Sequence, residues 1–199
     1  MDEQVVRSML KWPDVPDCYG WLALDRRGQW RMRNEYAQTH GLPGALIEHA
    51  GLKEYIARNY THDVLGRHYF QNGPQKVFVT LDSCPWVVRI QTKSDQPHAL
   101  ALATQCGHFM NPQGALSDEA GNIYIYGNLA QDNSTTVALL HDHDLTLFSE
   151  QSTVQEDACS YRGSWRWDDV ALPIDPITSS QLGSRFHFVQ YPSQELENN

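Results

Sequence analysis

In RNYTHDVLGRHYFQNGPQKVFVTLDSCPWVVRIQ, residues 58–91, two turn signals separate three runs rich in aromatic and β-branched side chains. Arg67–Gln71 and Lys76–Leu81 flank Asn72-Gly73-Pro74-Gln75, whose Asn-Gly pair favours a tight turn because both residues tolerate positive φ. Asp82-Ser83-Cys84-Pro85 then interrupts the chain before Trp86–Gln91. Such side chains suit a pleated, half-buried surface, so the spacing predicts a three-stranded antiparallel meander.

Upstream the period changes. Leu52, Tyr55, Ile56 and Tyr60, at i, i+3, i+4 and i+8, predict one amphipathic helix from about Ala50 to Tyr60 that covers the meander. Pro43 and Gly44 mark the loop before it. Further back, Tyr19–Leu24 and Gln29–Arg33 flank Asp25-Arg26-Arg27-Gly28 and read as a hairpin, with Asp opening the turn and Gly28 free to take positive φ.

Downstream, Lys93–His98 reads as a linker. Strands are predicted at Ala99–Thr104, Ala115–Ser117, Asn122–Tyr126, Thr136–Leu140, Ser164–Trp167 and Arg185–Gln190. Residues 127–134 and 150–163 read as loops, and the tail after Pro192 as frayed. Asp118-Glu119-Ala120-Gly121 is a second D-x-x-G turn, and neither such turn carries the acidic spacing of a calcium loop. The expected fold is α+β with two small antiparallel β-rich lobes. Residues 1–92 hold the hairpin, helix and meander; residues 93–199 form an acidic lobe with a short helix near 142–150.

The segments KWPDVPDCYGWLALDRRGQWRMR and RNYTHDVLGRHYFQNGPQKVFV resemble an uncharacterised proteobacterial family of similar length and unknown function. More distantly, the order G-W-L-A-L-D-x-x-G-x-W, helix, G-R-H-Y-F, Q-K-V-F-V-T-L-D-x-x-P-W resembles a second uncharacterised bacterial family. That likeness implies two β-rich, roll-like domains, the first carrying the helix, meeting near Ile90–His98. It covers mainly residues 12–91 and brings no catalytic motif.

Composition narrows the function. With 41% hydrophobic and 20% charged residues the chain is an ordinary globular sequence, and no apolar run approaches the roughly 20 residues needed to cross a bilayer. The start MDEQVVRSML lacks an apolar signal core, and Cys18, Cys84, Cys106 and Cys159 form no C-x-x-C pair, so free thiols in the cytoplasm are expected. Residues 1–99 carry 12 Lys and Arg against 11 Asp and Glu; residues 100–199 carry 3 against 13. A second half with only Arg162, Arg166 and Arg185 cannot track phosphates, so nucleic acid is not an expected partner.

Two constellations carry possible chemistry. After the helix, Arg58, Asn59, Tyr60, His62, Asp63, Arg67, His68, Gln71 and Asn72 crowd hydrogen-bonding groups where a helix end meets a hairpin, and they form the predicted ligand site. Further on, LLHDHDLTLF, residues 139–148, sets His141 and His143 beside Asp142 and Asp144. On one continuous strand the two histidines share a face, with backbones roughly 6.5 Å apart, and pair as metal ligands. Within a helix, residues two apart point about 200° from each other. Leu145, Leu147 and Phe148 favour a helix starting here, so a strand-to-helix junction is expected, capped by Asp142 or Asp144 with the histidines apart.

There is no G-x-S-x-G elbow, phosphate-binding glycine loop or zinc spacing, and no cofactor is expected. The sequence therefore reads as a non-enzymatic module binding a protein or small molecule. The alternative is a small hydrolytic or metal-assisted enzyme using His62 and His68, or His141 and His143. The many short strands also fit a homodimer built through exposed edges.

Overall fold

In the computed structural model, which describes residues 1–93, 96–130, 132, 134–157 and 160–194, the first elements are α1 (Glu3–Lys11), β1 (Cys18–Leu24), β2 (Trp30–Met32), α2 (Glu35–Thr39), β3 (Ala45–Leu46) and α3 (Ala50–Arg58). β4 (Tyr60–His62), β5 (His68–Asn72), β6 (Gln75–Leu81), β7 (Trp86–Lys93), β8 (Gln96–Thr104), β9 (Phe109–Ser117), β10 (Ile123–Leu129) and β11 (Thr135–Leu140) follow. A 3-10 turn (Asp142–Asp144), α4 (Leu145–Glu150), β12 (Ser152–Asp157), β13 (Ser160–Trp167), β14 (Val170–Pro176), a second 3-10 turn (Ser179–Gln181) and α5 (Leu182–Arg185) complete an α+β chain.

The chain divides into two compact units, Met1–Pro85 with His187–Asn199, and Trp86–Phe186. In the first, six strands run in the order β3-β2-β1-β6-β5-β4. The β1–β2 and β5–β6 hairpins are those the sequence predicts. The meander is not formed: β6 gives its outer edge to β1 in parallel, pairing Leu22 with Val79 and Leu24 with Leu81, all buried, and β7 joins the second sheet. The division therefore falls after Pro85, not after residue 92, and the last described residues return to the first unit. There Leu81 N donates to Gln190 O and Val189 N to Gly66 O. Helix α3 ends at Arg58, close to expectation, yet it is one of three helices in this unit rather than the only cover.

Gly66 makes the return possible. It has φ 75°, and an added Cβ would run into the His187 carbonyl. Gly66→Ala is expected to cost about 2–3 kcal/mol through forced backbone strain and displacement of this segment, read as a lowered urea midpoint.

In the second unit, β7 pairs with β8, β8 with β9, β9 with β10, β10 with β11, and β11 with β7, closing a five-stranded barrel. Val88, Leu102, Leu116, Tyr124, Ile125, Val137 and Ala138, from both faces of these strands, are each no more than 1% exposed. β14 joins β9 in parallel, and β13 and then β12 extend the sheet antiparallel from β14. Three parallel strand pairings among the described residues make both sheets mixed, where the turns and strand-rich runs of the sequence predict antiparallel lobes. The expected linker is also absent, because Gln96–Thr104 is a strand; residues 94 and 95 lie outside the described residues. The predicted strand at Arg185–Gln190 is instead the end of α5 and an isolated bridge at Val189, after Thr178 and Gln181 form a capping box.

One turn recurs in both units. Asp25, Asp63 and Asp118 each accept at Oδ1 from the amides two and four residues on, while the amide of Gly28, Gly66 or Gly121 donates back to the Asp carbonyl. Thr104 repeats it, with Oγ1 accepting from His108 N and Gly107 N returning to Thr104 O. The D-x-x-G pattern is thus a hairpin device, since side-chain oxygen and positive-φ glycine together satisfy the turn backbone.

Candidate functional site

In the polar run of residues 58–72, Asn59, Tyr60, Arg67, His68 and Gln71 are buried while Arg58, His62 and Asn72 are exposed. Arg58 Nε bridges both Asp2 carboxylate oxygens at 3.2 and 3.3 Å. Asn59, 1% exposed, accepts from Asp2 N and donates to Tyr55 O and Asp2 Oδ2. Tyr60 OH donates to Pro85 O, and His62 Nδ1 lies 3.1 Å from Asp63 O. Arg67 Nε donates to Asp63 Oδ2 at 2.7 Å, and its guanidinium stacks 4.6 Å from the Phe78 ring centre. Burial works to raise the Asp63 carboxyl, but the Arg67 side chain, the amides of Arg67 and Leu65 and the Arg67 charge outweigh it and hold it below the ordinary range. Gln71 is fully buried, its Nε2 donating to Gly73 O, while its Oε1 meets no hydrogen-bond partner among the described residues. Asn72 is exposed opposite Gln75. His62 and His68 do come together, with ring centres 5.2 Å apart. Burial, helped by the charge at His62, pushes His68 down to about 3, so it is a neutral core histidine.

At His141–Asp144 the junction lies where the sequence placed it, but its chemistry differs. His141 has extended backbone (φ −61°, ψ 140°) and is itself the cap, its Nδ1 accepting from His143 N at 3.2 Å. An imidazole Nδ1 is as many bonds from the backbone as an aspartate Oδ, so it reaches the same orphan amide. His49 does the same for α3, accepting from Leu52 N. Asp144 is spent elsewhere: its carboxylate takes Arg89 Nε at 2.7 Å, Arg89 Nη2 at 3.2 Å and Ile90 N at 3.0 Å. Because His141 stands outside the helix, the 200° rule does not separate the rings, which meet edge to face at 4.7 Å.

A cleft of about 450 Å³ opens in the second unit, lined by Gln91 and Thr92 of β7, Leu100–Leu102 of β8, Phe109–Pro112 of β9, and Trp167-Asp168 at the β13–β14 turn. Its cause is a change of partner along one edge of β9. Along that edge β8 pairs with Phe109 and Met110; β14 takes over from Ala115 to Ser117, leaving 111–114 between them. Pro112 lies in that gap and beside a register shift against β10, where a missing N–H is tolerated. Leu102 and Met110 form a buried floor, Phe109 stands 55% exposed at the wall, and Trp167 is half-buried. Asp168, exposed at φ 49°, is the one charged residue of the lining among the described residues. Sequence reasoning missed this place because Asn111-Pro112-Gln113-Gly114 resembles a turn and Val170–Pro176 contains two prolines.

One solved structure is similar to this chain in fold. A solved structure of a DUF1285 family protein from Silicibacter pomeroyi DSS-3 covers 81% of this chain and 84% of its own with a TM-score of 0.51 at 15% identity, a likeness of fold. A second, from Shewanella baltica OS155, covers 65% of this chain and 91% of its own at 16% identity with a TM-score of 0.42. No curated protein matches the chain. The family model DUF2944, described as "Protein of unknown function (DUF2946)", matches residues 1–193, nearly the whole length, and the chain belongs to that family.

Proposed function

We propose that this chain is a non-catalytic binding module and that the β9 cleft takes a small ligand with an aromatic or aliphatic body and a cationic end. The observation that carries this is the cleft itself: apolar Leu100, Leu102, Phe109, Met110 and Trp167 around a few polar groups, with Asp168 the only charge among the described lining residues. Pockets of this size and mixture suit small molecules, with apolar area giving affinity and few polar groups giving orientation. The surrounding charge supports a cation, since residues 86–186 carry 5 Lys and Arg against 12 Asp and Glu. No described helix is long and apolar enough to cross a membrane. Cys18 and Cys106 as free thiols fit a reducing compartment such as the cytoplasm; Cys159 lies outside the described residues.

Tryptamine and indole-3-propionate share a ring system and differ in the sign of the tail, so they test both halves of the proposal. Tryptamine is expected to bind saturably with an affinity on the order of 0.1 mM, while the carboxylate is at least about tenfold weaker. Asp168→Asn keeps a residue that tolerates positive φ and removes the charge, so it is expected to weaken tryptamine roughly tenfold. Phe109→Ala removes an exposed ring and is expected to weaken both. Binding indifferent to both substitutions, or absent up to about 10 mM, would overturn the proposal.

A further inference from the structure

We infer that His141, Asp142 and His143 form a site for one first-row divalent metal ion of the kind imidazole favours, such as Zn2+ or Ni2+. One ligand atom from each of the three lies within 4.8 Å of the others. Asp142 Oδ1 is 2.8 Å from His141 Nδ1 and 4.0 Å from His143 Nε2. Around an ion at about 2.0–2.2 Å from each ligand, neighbouring ligand atoms stand roughly 3–3.5 Å apart. Closing the set thus needs about an ångström of movement from Asp142 and His143, whose side chains are 45% and 64% exposed.

The base of the turn is fixed, which limits the ordering that metal binding requires. His141 N donates to Val88 O, Asp144 N donates to His141 O, and the Asp144 carboxylate is clamped by Arg89 and the Ile90 amide. Only the ligands on the solvent side move. The protons around His141 are also frustrated. If Nδ1 is bare it accepts from His143 N at 3.2 Å, but its lone pair then confronts the Asp142 oxygen at 2.8 Å. If Nδ1 carries a proton it donates to Asp142 and opposes the His143 N–H. A metal ion drawn in by the bare ring and the carboxylate resolves the conflict: it takes the Nδ1 lone pair in place of the weak bond to the His143 amide. Two imidazoles and one carboxylate match a borderline cation better than calcium or magnesium, which prefer oxygen sets.

The test is calorimetric titration of the untagged, chelator-treated full chain with Zn2+ and with Ni2+. One ion per chain is expected, and His143→Ala, an exposed substitution that leaves the cap in place, is expected to weaken it roughly 30-fold. Asp142→Asn is expected to weaken it about tenfold. In the ring-nitrogen NMR spectrum, the ion is expected to shift His141 and His143 while leaving buried His68 unmoved. No binding at about 100 µM ion, or binding unchanged in His143→Ala, would overturn the assignment. This outcome is independent of the tryptamine result, which concerns other residues.

Discussion

Acidification from pH 6.5 to 3.5 is expected to destabilise the first unit by about 3.5 kcal/mol through His68 alone. Its ordinary pKa is 6.5, and burial lowers it to about 3 in the folded chain. Above pH 6.5 the ring is neutral in both states and contributes no pH dependence. Below it the unfolded chain gains a proton that the folded chain refuses, so stability falls by about 1.4 kcal/mol per pH unit until the folded pKa is reached. Asp63 adds to the loss in the last part of the range. Its folded pKa is depressed, so its contribution is present above the ordinary carboxylate value and disappears as pH falls through the folded one. Urea melts followed at the NMR signals of β5 and β6, from pH 7 to 4, measure the slope. His68→Gln is expected to flatten it, while His62→Gln, at an exposed ring, is expected to leave most of it. An unchanged slope in His68→Gln would show that the ring titrates normally.

The second large effect is expected at Asp118. This carboxylate is 4% exposed and accepts from Ala120 N, Asn122 N, Asn122 Nδ2 and the buried Tyr124 hydroxyl, at 2.8–3.0 Å. Asp118→Ala removes the one carboxylate that all four donors share at a strand junction of the barrel and is expected to cost about 3–4 kcal/mol. Asp118→Asn retains an oxygen for the two turn amides but sets an amide group against Asn122 Nδ2, so about half the loss is expected. Asp132→Ala removes an exposed turn acid and is expected to change stability by under about 0.5 kcal/mol. Equal effects at Asp118 and Asp132 would refute the weight given to the D-x-x-G turn.

Local chemistry was legible in the sequence and partner choice was not. Asn72-Gly73 and Asp25-x-x-Gly28 announce hairpins because turn geometry demands those residues at those positions. Leu52, Tyr55 and Ile56 announce α3 by their period. Nothing in Lys76–Leu81 says that its outer edge pairs with Cys18–Leu24 in parallel, because alternation specifies which face is buried and not which strand lies beside it. That one pairing sends β7 into the other unit and moves the boundary to Pro85. At Leu139–Phe148 the junction was visible, but treating both histidines as helical separated rings that the structure joins. The residues of the 58–72 run were conspicuous for their polarity, which is largely spent on Asp2, on Tyr55 and within the hairpin itself. The cleft was hidden because it depends on where β8 leaves β9 and β14 arrives, a contact between segments more than fifty residues apart.

The central claim is that ligand binding belongs to the β9 cleft. Amide and indole chemical shifts of the full chain during a tryptamine titration test it most directly. Saturable shifts are expected at Gln91, Thr92, Leu100–Leu102, Phe109–Asn111, Asp168 and the Trp167 indole, weakened together by Asp168→Asn. Shifts confined to residues 58–72, or none at saturating tryptamine, would contradict it.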